Sequence, residues 1–326
     1  MKGTDTSSGS FFERTAGALA MTLFSACYYY SVFYICLVVA GFFLLPLPTA
    51  VAVAAPFALS TLLPIRRLPG LLGTSFFKCA LKYHEFEEVL ETSREDLDKL
   101  EAERSLIYTV VPHGVMSIAG ICYAIFQAPR PTPPTCAASV MLSLPILKHV
   151  FGSFGLIDAS SRSLARTLTK TSVVLYVGGM AEASARLFLS SPKEERLYIA
   201  KRKGFIKMAM RTGADVVPCY YFGNTTALEV VVRNPMLSML SRKMGASITL
   251  LWGRWGLPIP FPRKVCGGRE SERGKGALPF TWEKSVGLPS SQFLSMEKHR
   301  FEIVEGVSVV HTQHGSFSLG FLPPRP

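Results

Sequence analysis

The stretch SLIYTVVPHGVMSIAGICYAIF, residues 105–126, decides the fold of this chain. Its first seven residues are mostly β-branched or aromatic with little polar alternation, a pattern that predicts a strand covered on both faces. A proline and a glycine interrupt the pattern, and the small apolar residues from Val115 onward then predict a helix over 115–126. His113 therefore lies where a strand ends and a helix is expected to begin.

The residues that follow repeat this alternation of short apolar runs with longer amphipathic stretches. Strands are predicted at 136–142, 172–179 and 215–222, and helices at 145–155, 161–170 and 201–214. This order is typical of an α/β domain in which helices cover a sheet. Ligands of such sheets gather at the carboxyl ends of the strands, and His113 is expected at that edge.

Three residues at the predicted edge could take part in chemistry. The imidazole of His113 could transfer a proton, and Gly114 leaves backbone N–H groups open to developing negative charge. Glu182 follows the strand 172–179 and its glycines, so its carboxylate is expected beside the imidazole, which it could orient or stabilise when protonated. The alternatives are structural: a hydrogen-bonded histidine, and a glutamate favoured by the dipole of a helix.

Basic residues gather at the start of the predicted 201–214 helix, where Arg202, Lys203 and Gly204 are followed by Lys207. Cations at the N-terminus of a helix are unfavourable unless an anion lies there. The arrangement therefore predicts either a phosphate-bearing ligand or the headgroups of a membrane.

No charged residue occurs from Thr15 to Ile65. As one continuous helix this run would measure roughly 75 Å, far more than the ~30 Å hydrocarbon core of a bilayer. A cleaved signal peptide is an alternative, but its apolar region spans only about 7 to 15 residues. The run is therefore expected to form more than one membrane-embedded helix.

Pro46 and Pro48 divide this run, because proline lacks the N–H that a helix interior requires. Two apolar helices near 16–44 and 50–64 are expected, joined as a membrane hairpin. Arginines flank the run on both sides, which favours a cytosolic location for both of its ends.

The chain is expected to consist of a polar tail over 1–14, the hairpin over 15–67 and a cytosolic domain over 68–326. Within that domain, residues 265–289 are rich in glycine and charge and lack the pattern of a strand. Residues 290–315 have the pattern of an amphipathic closing helix.

The formal net charge of +12 predicts an anionic partner, either membrane headgroups or a phosphate-bearing substrate. Nucleic acid is not expected, since no zinc spacing, basic helix or aromatic RNA-binding signature accompanies the charge. The seven cysteines include no C-x-x-C pair, so no metal site is predicted. A serine hydrolase is excluded because the chain has no G-x-S-x-G motif.

Several blocks resemble the family of type-2 diacylglycerol acyltransferases and its monoacylglycerol and wax-alcohol acyltransferase relatives. They are VPHG at 111–114, GGMAEA at 178–183, RKGFIKMAMRTGADVVPCYYFGNTTAL at 202–228 and LLWGRWGLPIPFPR at 250–263. The resemblance implies a glycerolipid-acyltransferase-like sheet behind a paired-helix anchor.

It further implies that the chain transfers a fatty acyl group from acyl-CoA, a co-substrate, to diacylglycerol, with no other cofactor. The expected location is the endoplasmic reticulum membrane and the lipid droplet surface. A monoacylglycerol or fatty-alcohol acceptor is an alternative within the enzyme class, and a non-catalytic lipid-binding protein is an alternative outside it. A homo-oligomer is left open.

By the same resemblance, His113 corresponds to the catalytic histidine and Glu182 to the glutamate of the glycine-rich block. Arg202, Lys203, Gly204 and Lys207 fall in the block expected to bind acyl-CoA.

The chain departs from the family's pattern at two positions near His113. Many members have a histidine in place of Val111, and the broader glycerolipid acyltransferases have an aspartate in place of Ile118. Glu182 is therefore left as the expected orienting carboxylate.

Overall fold

A computed structural model describes residues 9–89, 93–179, 194–197, 199, 202–230, 251–268, 308–313 and 316–321. The helices in this part of the chain are α1 (Phe11–Leu44), α2 (Leu47–Leu62), α3 (Pro69–Leu72), α4 (Ser75–Tyr83), α5 (Arg94–Glu103), α6 (Ile118–Gln127), α7 (Ser139–Ser143), α8 (Leu147–Gly152), α9 (Ser161–Leu168) and α10 (Gly204–Thr212). The strands are β1 (Glu87–Val89), β2 (Leu106–Val111), β3 (Thr135–Ala137), β4 (Leu156–Asp158), β5 (Val173–Tyr176), β6 (Glu194–Leu197), β7 (Asp215–Phe222), β8 (Glu229–Val230), β9 (Leu251–Trp252), β10 (Cys266–Gly268), β11 (Ser308–Gln313) and β12 (Ser316–Phe321).

The main sheet has the strand order β1-β10-β7-β2-β5-β3-β4. From β7 to β4 neighbouring strands are parallel, whereas β10 runs antiparallel to β7 and β1 runs parallel to β10. The predicted α/β class, with a parallel sheet covered by helices, is confirmed. The central strand is β2, the one that opens the deciding stretch of sequence, and it lies between β5 and β7.

The two faces of the sheet are covered by different helices because successive side chains of a strand point to opposite faces. On one face, Val110 and Val174 belong to an apolar cluster with α1, α4 and α6. On the other, Ile107, Val173 and Val216 pack with α9 and α10. Both faces of β2 are thus buried, which explains its almost continuous apolar sequence.

Two predicted elements differ from the observed ones. The strand expected over 136–142 ends at Ala137, and the residues after it form the short helix α7. A short apolar run can form either a strand or a buried helix, and its periodicity does not separate the two. The closing helix expected over 290–315 is wrong at its end, where the β-branched run of β11 pairs with β12 and β6. Residues 290–307 lie outside the described residues.

The glycine-rich segment predicted to lack strand structure begins with a strand. β10 lies in the main sheet between β1 and β7, where Gly267 is the register partner of Glu88 on one side and Tyr221 on the other. Residues 269–289 lie outside the described part of the chain.

Helices α1 and α2 account for the uncharged N-terminal run, and the break between them falls at Leu45 and Pro46. No single helix among the described residues has both the length and the apolar character that a membrane crossing requires. The segments Phe11–Cys27 and Tyr29–Leu44, bent by 47° relative to each other, meet that requirement only as a pair.

The first half of α1 packs against the α/β domain. Met21 and Phe24 are buried together with Phe77 and Tyr83 of α4. The two helices approach closely at Gly17, where a Cβ atom would lie 2.3 Å from the carbonyl oxygen of Cys79. The part of the hairpin before Tyr29 is therefore also part of the domain's core, a contact that the hydropathy of the sequence does not reveal.

Candidate active site

His113 lies in a loop directly after β2, where it is partly buried. Its Nδ1 is 2.8 Å from the carbonyl oxygen of Gly114. A carbonyl oxygen only accepts hydrogen bonds, so Nδ1 carries the proton and donates it, and Nε2 keeps the lone pair of the neutral ring. The main chain thereby fixes the tautomer in which Nε2 can act as a base.

Burial lowers the pKa of the His113 ring below its usual 6.5, because a charged imidazolium is poorly solvated there. The hydrogen bond to the Gly114 carbonyl acts in the opposite direction and is the smaller effect. The ring is therefore neutral at neutral pH, the state that a proton acceptor requires.

Tyr176, the last residue of β5, packs edge-on against the His113 ring with 5.0 Å between the ring centroids. Its hydroxyl lies 2.6 Å from Oγ of Ser117, and Ser117 Oγ also accepts a hydrogen bond from the N–H of Gly120. A Cβ atom on Gly120 would lie 2.2 Å from the Tyr176 hydroxyl. Because Gly120 has no side chain, it leaves room for the Tyr176 hydroxyl, and Tyr176 can then pack against the His113 ring.

Asn224 ties the histidine loop to helix α6. Only 1% of its surface is exposed, and its Nδ2 donates to the carbonyl oxygens of Pro112 at 3.0 Å and His113 at 2.8 Å. Its Oδ1 accepts from the N–H of Ala119 at 3.0 Å. Gly114 has a φ of +66°, and a Cβ atom there would lie 3.1 Å from Asn224 Nδ2. Only glycine fits this backbone without strain.

Tyr176, His113 and Asn224 come from the carboxyl ends of β5, β2 and β7, three neighbouring parallel strands. The sheet-edge rule that indicates His113 applies equally to Asn224, which follows the predicted strand 215–222, although Asn224 is not among the site residues predicted from the sequence. Ser117 is a typical capping residue before an apolar run, although the helix predicted from the sequence begins before it, at Val115. Tyr176 carries no signal of its own, since it reads as one more residue of an apolar strand.

Helix α6 begins at Ile118, three residues after the predicted start, because Ser117 caps it. The N–H groups of Ile118, Ala119 and Gly120 are paired with Met116 O, Asn224 Oδ1 and Ser117 Oγ. The helix terminus is thus not itself open to an anion. Within the described residues, no acceptor is found for the N–H groups of Gly114 and Val115, so the loop amides are the available donors.

The predicted basic cluster lies at the start of α10, with Gly204 as its first residue and Lys203 before it. The side chains of Arg202, Lys203 and Lys207 are exposed. Two residues join the end of helix α10 to the first residue of β7, so the beginning of the helix lies toward the carboxyl edge of the sheet, as His113 does. Phe205 packs in the same apolar cluster as Val111.

Glu182 lies outside the described residues, three positions after Gly179, so its expected proximity to His113 stays a prediction. Within the described residues, no group of histidine, cysteine, aspartate and glutamate side chains could hold a metal ion.

His84 lies in a charged stretch of sequence, yet its side chain is fully buried. Its Nδ1 is 3.3 Å from the carbonyl oxygen of Arg263, and its Nε2 has no hydrogen-bond partner among the described residues. Burial lowers its pKa to about 4. His84 is thus a neutral residue of the core and has no role at the carboxyl edge of the sheet.

Comparison with known proteins gives three informative relatives. The human 2-acylglycerol O-acyltransferase 3 is 28% identical over 244 residues, which cover 60% of this chain and 70% of that protein. The human diacylglycerol O-acyltransferase 2 is 30% identical over 142 residues, 40% of this chain and 35% of that protein. The human diacylglycerol O-acyltransferase 2-like protein 6 is 33% identical over 135 residues, 38% of this chain and 39% of that protein.

No solved structure is significantly similar to the chain. The family model described as diacylglycerol acyltransferase matches residues 82–261, more than half of the chain, and this range contains His113, Asn224 and the basic start of α10. The chain therefore belongs to the diacylglycerol acyltransferase family and is an O-acyltransferase.

Proposed function

We propose that the protein transfers a fatty acyl group from acyl-CoA to diacylglycerol, forming triacylglycerol, with His113 as the general base. The observation that carries this proposal is the hydrogen bond from His113 Nδ1 to the Gly114 carbonyl oxygen. It leaves the basic lone pair on Nε2, and the lowered pKa keeps that nitrogen unprotonated at neutral pH.

In the proposed reaction, Nε2 takes the proton of the acceptor hydroxyl while the hydroxyl oxygen attacks the thioester carbonyl. The C–S bond then breaks, the acyl group stays on the acceptor oxygen, and the proton passes from the imidazolium to the CoA thiolate. A thiolate is a good leaving group, so no covalent intermediate on the protein is needed. General base catalysis of this kind contributes typically 10²- to 10⁴-fold to the rate.

The negative oxygen that forms during the attack needs hydrogen-bond donors. The N–H groups of Gly114 and Val115 suit this role, since the N–H groups in the first turn of α6 are already paired. Gly114 has a left-handed backbone, and the hydrogen bonds from Asn224 to the carbonyl oxygens of Pro112 and His113 hold the loop just before it. Positioning of the loop by Asn224 is thus part of the proposed catalytic arrangement.

Arg202, Lys203 and Lys207 are proposed to bind the phosphates of CoA, with Gly204 allowing close approach to the backbone. Their exposure and their position at the beginning of a helix favour an anion. Glu182 is proposed to stabilise the imidazolium by its charge, because the Gly114 carbonyl already occupies Nδ1.

The apolar helices are proposed to anchor the enzyme in the endoplasmic reticulum membrane, with the domain facing the cytosol and access to lipid droplets. The arms Tyr29–Leu44 and α2 would each measure roughly 24 Å, less than the ~30 Å hydrocarbon core. A hairpin that enters and leaves on one side fits these lengths. Phe43, Leu44 and Leu47 at its tip are largely exposed, as lipid-facing side chains would be.

The test is a microsomal assay with labelled acyl-CoA and diacylglycerol, comparing the wild type with His113→Ala. The variant should lose at least 100-fold in acyl transfer while it remains in the membrane fraction. A mutant with near-normal transfer would end the assignment of His113, and a wild type that binds lipid without releasing CoA would favour a non-catalytic protein.

Monoacylglycerol is the second candidate acceptor, because one of the relatives reported above is a 2-acylglycerol O-acyltransferase. The same assay, offered diacylglycerol, monoacylglycerol and a long-chain alcohol in parallel, ranks the acceptors by kcat/KM. Preference for monoacylglycerol or the alcohol would replace diacylglycerol in the proposal and keep the chemistry at His113.

A further inference from the structure

Residues 252–257 form a loop that presents large apolar side chains to solvent. Trp255 is 76% exposed, Leu257 51% and Trp252 40%. Single exposed apolar residues are common on protein surfaces, but three of them within six residues form a patch. The rest of the loop consists of Arg254 and two glycines.

The backbone holds this loop in one shape. The N–H of Gly253 donates to Leu257 O at 2.7 Å, and the N–H of Arg254 donates to Ile259 O at 2.8 Å. A Cβ atom on Gly253 would lie 1.8 Å from Ile259 O, so the chain segments are in close contact. Trp255 has a φ of +57°, which is unfavourable for a bulky residue. The indole ring of Trp255 is largely exposed on this strained backbone, and such strain commonly marks a functional position.

The loop is attached to helix α1 next to the apolar arm of the hairpin. Tyr29 donates its hydroxyl to Leu251 O and accepts a hydrogen bond from Leu251 N at 2.7 Å. Ser25 donates its hydroxyl to Pro258 O. Both ends of the loop are thus fixed to the part of α1 where the arm Tyr29–Leu44 begins. If that arm lies in lipid, the loop lies at the level of the bilayer surface.

The side chains of the loop have the chemistry of that surface. Indole and phenol rings concentrate at the headgroup region of membranes, where the ring contacts acyl chains and its polar atom contacts water or headgroups. Tyr30, at the start of the arm, is also largely exposed. The guanidinium of Arg254 lies 4.4 Å from the centroid of the Trp255 ring, so a cation is held beside the indole where lipid phosphates would be.

We propose that the loop 252–257 is a second membrane contact, in which Trp255 and Leu257 enter the headgroup region of a phospholipid bilayer and Arg254 pairs with lipid phosphate. This inference rests on the proposed membrane anchoring by the hairpin. The loop fixes the depth and tilt of the α/β domain on the bilayer, and hence the height of the His113 edge above the lipid acceptor.

The test uses the intrinsic fluorescence of the full-length protein reconstituted in phosphatidylcholine vesicles. The chain contains three tryptophans, at 252, 255 and 282. The double variant Trp252→Phe/Trp282→Phe keeps only Trp255, and its matched control Trp255→Phe/Trp282→Phe keeps Trp252, whose indole donates to Glu229. Vesicles carry bromine at shallow or deep acyl positions as quenchers.

Emission of Trp255 should fall about twofold or more with shallow bromine and much less with deep bromine, whereas Trp252 should respond more weakly. Emission of Trp255 that is insensitive to bromine at every depth overturns the proposal. A blue-shifted but unquenched Trp255 also overturns it, since a second copy of the chain would then cover the loop.

Flotation of the same vesicles separates this inference from the anchoring on which it rests. Protein that floats without quenching of Trp255 overturns the loop contact alone. Protein that fails to float overturns the hairpin anchor and the loop contact together, and acyl transfer measured in detergent then still tests the function of His113 independently.

Discussion

A partly buried and a fully buried histidine show how one residue type takes different roles. His113 and His84 each have Nδ1 near a main-chain carbonyl oxygen, and burial lowers the pKa of both. The two residues differ in their location in the fold. His113 lies on a loop at the carboxyl edge of parallel strands, whereas His84 is enclosed between α4 and the segment that contains Arg263. The location at the edge of the sheet, rather than the lowered pKa, therefore distinguishes His113 as the candidate base.

The pH dependence of the reaction should report the lowered pKa of His113. A base is active only when deprotonated, so kcat/KM should fall on the acid side with an inflection below 6.5, the ordinary value for histidine. The profile of initial rates from pH 4.5 to 8, with acyl-CoA and acceptor both well below their KM values, measures it. An acid inflection at or above 6.5 would contradict the buried, neutral ring.

His84 should make the protein less stable in acid. Its folded-state pKa of about 4 lies below the usual 6.5, so between these values the unfolded chain binds a proton that the folded state excludes. The free energy of unfolding should fall by up to about 3 kcal/mol as the pH drops through this window, and level off below it. Above pH 6.5 this contribution is fully retained.

Chemical unfolding in detergent at pH 7 and pH 4.5, for the wild type and His84→Gln, measures the effect. The variant should show a clearly smaller loss between the two pH values. Equal losses would mean that other groups cause the acid sensitivity.

Asn224 should act as a positioning residue. Asn224→Leu keeps the approximate volume but removes the hydrogen bonds that Asn224 makes with the carbonyl oxygens of Pro112 and His113 and with the N–H of Ala119, at a cost of about 1–3 kcal/mol each. We expect kcat to fall at least 10-fold with little change in KM for acyl-CoA.

Asn224→Asp separates position from stability, because it keeps an acceptor for Ala119 but places a buried carboxyl group against the carbonyl oxygens of Pro112 and His113. It should be less stable than Asn224→Leu, whereas both variants should lose a similar share of kcat because both lose the hydrogen bonds that position the loop. If kcat follows the thermal stability of the two variants, Asn224 has only a structural role.

At the scale of elements, the ends of the strands and helices position the side chains of the candidate site. Tyr176, His113 and Asn224 lie side by side because they come from the ends of the neighbouring strands β5, β2 and β7.

The end of helix α2 is likewise fixed by a residue of another element. Lys148 of α8 donates its Nζ to the carbonyl oxygens of Thr61 at 2.7 Å and Leu63 at 3.0 Å, which caps the end of α2.

Lys148→Met should therefore release the foot of the hairpin. The lost hydrogen bonds leave carbonyl oxygens at the end of α2 without their donor, and the exposed Arg66 and Arg67 nearby should be cut faster by trypsin. Lys170→Met is the matched control, since Lys170 is an exposed lysine in the same domain. Cleavage rates equal to those of the control would show that Lys148 does not hold the hairpin.

At the scale of the whole molecule, the proposed membrane hairpin predicts that the chain before α1 and the domain after α2 lie on the same side of the membrane. Epitope tags at the two ends of the chain should both be digested when protease is added to intact microsomes. A tag that is digested only after the membrane is permeabilised would contradict the hairpin and require a crossing.

The sequence by itself determined the α/β class, the break at Pro46, most strands and helices around β2, and the position of His113. These depend on local patterns: apolar periodicity, proline and glycine, and the rule that strand ends gather at one edge. It also determined the membership of the family, because the matching blocks are contiguous in the chain.

Only the tertiary structure decided which groups surround His113 and how far the hairpin belongs to the core. Tyr176 and Asn224 lie 63 and 111 residues further along the chain than His113, and their contacts arise from the order of strands in the sheet. The burial of His84 and the packing of Met21 against α4 likewise join distant segments. Local sequence fixes what an element is, whereas long-range packing fixes which side chains it brings together.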